Sequence, residues 1–494
     1  MSPVRTLVAS LLLAPLPALA QETPPSQVGN QEPGSPAVQE ENVPNLEIGT
    51  TPADVIPDAG ARVMTLEELL QRAESAGGNQ NLVVLREQIV QANDNVTRAW
   101  STILPNVNAA VTYTRNSHAA AIPFPNFAAG FQPSGQTTPG GADILVPVET
   151  LDITITQLNQ WSAAATASMP LLIMPAYYGI AAAKEGVTAA EQTTTFNRNE
   201  IVLGIAQAYY GAVASRRLIE VSYSQVQVQK EQERVAKAQF EAGQVPKVNW
   251  LRASVARISA EQDLVRAQNS FVSTKLALQQ LTGVQEAFDV VAPAPVEAPE
   301  GAVDELVQVG LESRQDLAAS RTAVQIAKRV VQSNYWQFAP VIAAQGTYSW
   351  ANITGFTGSQ TNWNVMITAS LNIFDGGLRY ANIRDARSQE RQAVAQNISL
   401  ARTVKQDVET SLLNLESARA NLVKAEEQSR LADENATLVR AQYDAGVATY
   451  LDVVDALNAL FASQVSAVTN ELNVQVASLQ LSRAIGKFGV SQFP

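Results

Sequence analysis

Two hydrophobic periods alternate along this chain. Around Val107, Ala109, Val111 and Tyr113 the apolar positions recur at every second residue, with Asn108, Ala110, Thr112 and Thr114 between them. The same alternation sets Trp363, Val365, Ile367, Ala369, Leu371 and Ile373 against Asn364, Met366, Thr368, Ser370 and Asn372. Period two predicts strands with one apolar and one polar face. Elsewhere the period lengthens. Val408, Leu412, Leu415, Ala418, Leu422, Ala425, Ala432, Ala436 and Val439 follow a three-and-four spacing, which predicts one face of a helix. Residues 378–445 contain neither Gly nor Pro, and residues 176–245 contain no Pro. Each stretch predicts a single helix of about 100 Å at the usual rise per residue, too long for an ordinary globular domain. Helical pattern returns after Gly243 and Gly446, to about Leu281 and Ala484. Near the start, Thr65-Leu66-Glu67-Glu68 has the form of a capping box and predicts a helix running on to about Leu104.

The pattern repeats. Gln239-Phe240-Glu241-Ala242-Gly243 matches Gln442-Tyr443-Asp444-Ala445-Gly446, and the same offset carries Gly283 onto Gly486. Trp161 matches Trp363, and Pro105 with Tyr113 matches Pro340 with Tyr348. The chain therefore reads as two copies of one unit, residues 62–283 and 305–486, joined by a crossover linker at 284–304 and followed by a C-terminal tail at 487–494. The first copy carries an insertion between Tyr113 and Trp161, which its Pro and Gly content marks as loop-like.

Composition narrows the setting. Residues 1–20 have the form of a signal peptide: Arg5, an apolar run from Leu7 to Leu16, and Ala18-Leu19-Ala20. Residues 21–61, rich in Pro, Glu, Gln and Gly, predict a flexible N-terminal tail. The chain of 494 residues has no cysteine and a net charge of −12. The first excludes a disulfide framework or a lipid-bearing cysteine; the second argues against nucleic acid as a partner. Beyond the leader no unbroken run of about 18 apolar residues occurs, so no spanning helix is expected, and a membrane crossing must be a closed β-barrel. Strands of about ten residues with Trp350 and Trp363 near one end fit such a barrel, and equally fit a soluble hairpin.

Candidate chemistry is sparse. The single histidine, His118, lies in the insertion and reads as a solvated loop residue. No phosphate-binding or dinucleotide glycine motif occurs. An enzyme is not expected, and neither a metal site nor a cofactor. What stands out is the restart after Gly446, where Asp452 and Asp455 lie three residues apart. Thr449 with Asp452 fits a capping box, and Asp455 gains only a little from the helix dipole. In the first copy Asn249 and Arg252 hold the corresponding positions. An acidic face present once per chain becomes a ring when several chains assemble about an axis.

The blocks "LEELLQRA", "ILPNVNAAVTY", "ESRQDLAAS", "FAPVIAAQGTYS", "SLNIFDGGLR", "RAQYDAGVATYLDVVDA" and "LQLSRAIG", in that order, resemble the TolC-like outer membrane factor family. The resemblance implies an α+β fold: a trimeric outer-membrane β-barrel with about four strands per chain, continued by a long periplasmic α-helical barrel. It implies a homotrimer in outer-membrane lipid that works with a periplasmic adaptor protein and an inner-membrane transporter, as the exit duct of an efflux pump or a type I secretion system. By the same resemblance the turns Gly243-Gln244-Val245 and Gly446-Val447-Ala448 are adaptor-docking tips. Asp452, Asp455, Tyr443 and Asn249 belong to the periplasmic aperture, and Tyr113, Trp161, Tyr348, Trp350 and Trp363 are membrane-strand aromatics. Ala448 and Asn249 depart from an arginine and an aspartate found in some members. The ionic latch is therefore absent, leaving closure to Tyr443 and neutral hydrogen bonds, or a looser aperture. A trimeric coiled-coil surface protein of adhesin type leaves the period-two segments unexplained, and a passive porin gives no role to the long helices.

Overall fold

The computed structural model describes residues 55–75, 78–296, 298–354 and 359–488. The expected signal peptide, the expected tail up to residue 54 and the last six residues of the expected C-terminal tail lie outside the described residues. In chain order the elements are β1 (Arg62–Met64), α1 (Leu66–Glu74) and α2 (Gln80–Ser101), then β2 (Asn106–Arg115), β3 (Ala120–Pro125), β4 (Phe131–Thr137), β5 (Asp143–Pro147), β6 (Thr150–Thr156) and β7 (Asn159–Leu172). The helices α3 (Met174–Glu241) and α4 (Lys247–Thr282) follow, then β8 (Phe288–Val290), α5 (Val303–Ser313) and α6 (Gln315–Tyr335). Last come β9 (Val341–Ala351), β10 (Thr361–Ser370), α7 (Leu378–Asp444) and α8 (Tyr450–Ala484).

Four strands make one antiparallel sheet in the order β10-β9-β7-β2. Its register puts the period-two apolar residues on one face: Tyr113 lies opposite Trp161, Ala163 opposite Trp350, and Trp363 opposite Tyr348. Each strand runs directly into a helix at one common end of the sheet. At β10 the turn is made by Gly376 and Gly377 at φ +69° and +91°. Asp375 holds it, accepting the Gly377 N–H at 3.1 Å and the Arg379 Nε at 2.7 Å.

Away from the sheet, α3 and α7 are 68 and 67 residues long, about 100 Å each. Shorter helices line them in pairs. Next to the sheet α2 packs on α3, and α6 packs on both α3 and α7; further out α4 pairs with α3 and α8 pairs with α7. The short helices end midway, and a waist fills there with β1, α1, β8 and α5. Most of the fully buried large side chains gather in it, among them Leu69, Leu70, Tyr209, Phe271, Phe288 and Leu481. The Tyr209 hydroxyl lies 2.8 Å from the Val291 carbonyl and 3.0 Å from that of Met64, so one side chain joins the ends of the short parallel pair β1–β8 to the long helix. Burial pushes its pKa up to about 12.

Several expectations are corrected. The helix expected from residue 65 to about 104 is two helices. Gly78 meets the Arg72 and Ala73 carbonyls so closely that a Cβ would clash, and Asn79 restarts the helix by accepting the Asn81 N–H at 2.8 Å. The expected flexible tail ends too late. Val55 and Ile56 are buried, and Asp58 pairs at 2.7 Å with Lys275, whose ammonium sits between Phe271 and Phe288. The crossover contains a strand, β8, and Phe288, its first residue, is fully buried. At the C-terminal side Phe488 is buried. The insertion of the first half is a β-ribbon, with β3 paired to β6 and β4 to β5. Its Pro and Gly residues concealed the alternation of Ile122 and Phe124 with prolines. Finally, one helix among the described residues, α8, is apolar enough on average to span a membrane, with a mean hydropathy of 1.3 in its most apolar window. Scattered Asn, Ser and Gln break any continuous apolar run without lowering that average. The helix packs along α7 and α3 in the helical body.

Replacing Tyr209 by Phe leaves the Val291 and Met64 carbonyls without the hydroxyl. The variant should lose about 1–2 kcal/mol, read as a lower unfolding midpoint in the same detergent.

Candidate functional site

The far ends of the two long hairpins are built alike. Gly243 and Gly446 adopt φ +72° and +79°, which only glycine reaches without strain. The Gly446 N–H donates to the Tyr443 carbonyl and the Val447 N–H to that of Gln442, both at 2.9 Å; Gly243 and Gln244 donate likewise to Phe240 and Gln239. This is the Schellman closure of a helix end, using carbonyls that would otherwise lack partners. Gln244 and Val447 are exposed, Val447 to 79%, while Val245 and Ala448 are half-buried. Both turns thus present backbone and one exposed side chain, Gln244 or Val447, outward.

The restarts differ. Pro246 precedes α4 without a side-chain cap. Before α8, Thr449 and Asp452 cap each other: Asp452 Oδ2 accepts the Thr449 N–H and the Thr449 hydroxyl at 2.7 Å, and the Asp452 N–H donates to Thr449 Oγ1 at 3.3 Å. The Thr449 hydroxyl, helped by its N–H, holds the Asp452 carboxyl below the usual carboxylate range. A lowered folded pKa means that the cap is intact through neutral pH and is lost only as pH falls through that lowered value. Asp455 is exposed one turn on, and among the described residues its carboxylate has no hydrogen-bond or ion-pair partner. Asn249 is half-buried in the first turn of α4, and nothing connects it to either aspartate within the chain.

Tyr443 binds the two hairpins together. Its hydroxyl donates to Gln239 Oε1 at 3.0 Å, and its ring meets Tyr450 edge-on at 6.0 Å. Tyr450 is buried against Ala236 and Ala253 of the first hairpin, and burial pushes its pKa up to about 12. Sequence reasoning missed Gln239 and Tyr450. The repeat offset that aligned Gln239 with Gln442 set it beside the turn, and Tyr450 read as one position of a capping box. Between the hairpins, Val248, Leu251 and Val255 of α4 face Leu451, Val454 and Phe461 of α8 across a groove of about 460 Å³.

At the opposite end of the molecule the strand aromatics form a band. Tyr113, Trp161, Tyr348, Trp350 and Trp363 share the apolar face at the sheet end far from the helices, each between 38% and 72% exposed. Tyr113 and Trp161 touch, with ring centroids 4.9 Å apart. The other face carries Asn108, Thr112, Ser162, Thr166, Thr347 and Asn364. A second aromatic group, unnoticed in the sequence, stands where strands meet helices: Phe374 is 83% exposed and Tyr380 65%. Among the described residues no three metal-ligating side chains cluster.

A family model described as "Outer membrane efflux protein" matches residues 72–284 and 306–487. The outer membrane protein OprJ of Pseudomonas aeruginosa is 24% identical over 62% of this chain and 65% of its own length. The cobalt-zinc-cadmium resistance protein CzcC of Cupriavidus metallidurans is 22% identical over 90% of this chain and 95% of its own. Among solved structures, the Campylobacter jejuni CmeC outer membrane channel superposes with a TM-score of 0.69 at 17% identity, covering 86% of each chain.

Removing the Tyr443 hydroxyl should loosen the tip. In Tyr443→Phe the amides of residues 443–450 should exchange with deuterium about ten-fold faster, the equivalent of about 1.4 kcal/mol. Gln239→Leu should do the same, and the double variant should add nothing further, because both remove one bond.

Proposed function

Because this chain belongs to the outer membrane efflux protein family, we propose that it is the outer-membrane exit duct of a tripartite efflux pump or a type I secretion system. It lies in the outer membrane, with its helical body in the periplasm. The observation that carries the reading is a sheet left open at both edges, β2 and β10, with an apolar aromatic-banded face and a polar face, fused to helices of about 100 Å. Lipid tolerates no open edge. Three copies, each giving four strands, close a barrel of about 12 strands. The polar face then lines a lumen and the band of Tyr113, Trp161, Tyr348, Trp350 and Trp363 meets the outer interface. The helices close a tunnel by the same symmetry. Only 22% of the most apolar window of α8 is buried within one chain, which supports a partner surface along it.

In this reading residues 62–283 and 305–486 are the two copies of the doubled unit, and the tips at Gly243 and Gly446 face the inner membrane. The exposed turns Gly243-Gln244-Val245 and Gly446-Val447-Ala448, with the groove beside them, receive a periplasmic adaptor, which couples the duct to an inner-membrane transporter. Asp452 and Asp455 from three chains form carboxylate rings at the narrowest point, and Tyr443 with Asn249 lines the same aperture. Held near low-dielectric helix walls, such rings favour cations. With Ala448 and Asn249 at the latch positions, the neutral Tyr443–Gln239 bond keeps the tip closed. No catalytic chemistry is assigned to the chain.

The test is single-channel recording of the purified protein in a planar bilayer. A small, cation-selective conductance is expected. Asp452→Asn keeps an acceptor for the cap, so with Asp455→Asn it should remove charge without loss of fold and reduce the cation preference about two-fold or more. Selectivity unchanged in a properly assembled double variant refutes the ring; no conductance from folded trimers of a Tyr443→Phe, Gln239→Leu variant, whose tip is unlatched, refutes the lumen.

A further inference from the structure

The helix ends next to the sheet carry a charge opposite to that of the chain. The twelve residues of each helix closest to the strands, 90–101, 174–185, 324–335 and 378–389, hold seven Lys or Arg against three Asp or Glu, a net of +4, whereas the whole chain has a net charge of −12. Two of the seven are paired locally: Arg329 meets Glu185 at 3.0 Å and Arg379 meets Asp375 at 2.7 Å. The other five, Arg98, Lys184, Lys328, Arg384 and Arg387, are exposed and have no acidic partner among the described residues. Lys184 rests over the Trp100 ring at 5.5 Å and Arg387 over that of Tyr335 at 5.4 Å. Cations therefore stand against the aromatic residues at the helix ends.

This basic belt adjoins an apolar one. At the four junctions between strand and helix, Leu104, Leu171, Trp336 and Phe374 are exposed. Leu371 and Phe374 follow Trp363 of the far aromatic band by eight and eleven residues. That is about 26–36 Å along an extended chain, or about 20–28 Å in height at the usual barrel tilt. The interval brackets the apolar band of about 25 Å that a membrane barrel presents to lipid, so the junctions fall at its second edge. Arg98, Arg384 and Lys328 stand about 5, 9 and 10 Å from the sheet-side ends of their helices. Long side chains that reach back toward the apolar edge bring these charges to a headgroup layer about 5–8 Å thick. The other end of the sheet has the opposite sign: residues 116–158 contain Asp143, Glu149 and Asp152 and no Lys or Arg. A lipid surface that matches the helix side, and only that side, is anionic.

We propose that the belt holds the anionic headgroups of phospholipids in the periplasmic leaflet, so that the duct gathers acidic lipid around the base of its barrel. The proposal rests on the outer-membrane placement above, and its test separates the two. The triple variant Arg98→Gln, Lys328→Gln, Arg384→Gln removes three charges of the belt. Arg402→Gln, Arg419→Gln, Lys424→Gln removes as many exposed charges from α7 further from the sheet, and Arg98→Lys with Arg384→Lys keeps the charge of the belt. Each purified protein, in detergent, is mixed with equal amounts of phosphatidylglycerol and phosphatidylcholine of matched acyl chains, and the bound lipids are counted by native mass spectrometry. The unaltered protein should retain phosphatidylglycerol about five-fold over phosphatidylcholine, and less so as salt rises. The belt variant should lose that preference about three-fold or more, while the other two variants keep it. Equal retention of the two lipids by the unaltered protein, or a preference that survives in the belt variant, overturns the belt and leaves the duct standing. A surviving preference together with lost binding to sedimented peptidoglycan assigns the charges to the cell wall instead. A protein that stays in solution without detergent and retains neither lipid sinks both readings.

Discussion

An open β-sheet cannot rest in hydrocarbon, and the rest of this molecule is arranged around that constraint. Every backbone N–H and C=O in lipid needs a partner, yet β2 and β10 each leave one edge unpaired within the chain. In the proposed duct, closure comes from further copies. On the inner strands, β7 places Ala163 and Ala165 on the apolar face beside Trp350 and Tyr348 of β9, small residues beside large ones. Since each strand passes straight into a helix, strand spacing and helix spacing are set together. In the proposed trimer a barrel above therefore requires a ring of helices below.

Long helices arranged this way need bracing, which the waist supplies. Neither α3 nor α7 has a break, and both would be flexible if solvated on all sides. Midway along, α1, β1, β8 and α5 wrap them, and Tyr209, Phe271, Phe288 and Lys275 tie the wrapping to the helices. Buried ion pairs are weak as sources of stability. Here, among the described residues, the Lys275 ammonium is met by Asp58 and the two flanking rings, which ties the N-terminal segment to α4. The ribbon and the tips lie at the two ends of this braced rod.

At the tips, one plan carries two charge patterns. Both hairpins turn through the same glycine closure, but only the second restarts with Asp452 and Asp455. The proposed trimer would then alternate acidic and non-acidic restarts around its axis. The neutral Tyr443 to Gln239 bond holds the hairpins together without reference to salt, in contrast with any ionic closure, which screening would weaken.

The periodicity of the chain by itself determined the strands, the two helices of about 100 Å and the glycine turns, because these follow from local backbone preference and from alternation within a few residues. Its family blocks marked Asp452, Asp455 and Tyr443. The tertiary structure decided what lies between distant segments. The break at Gly78 depends on carbonyls of the preceding helix, and the packing of Val55 and Asp58 depends on α4, more than two hundred residues away. The ribbon hides in a Pro- and Gly-rich stretch, and its strands exist only because each arm supplies the other's hydrogen bonds. Gln239 acquires its role from Tyr443 across two hairpins. Such contacts leave no local period in sequence, since the partner that makes each residue matter arrives only when the chain has folded back on itself.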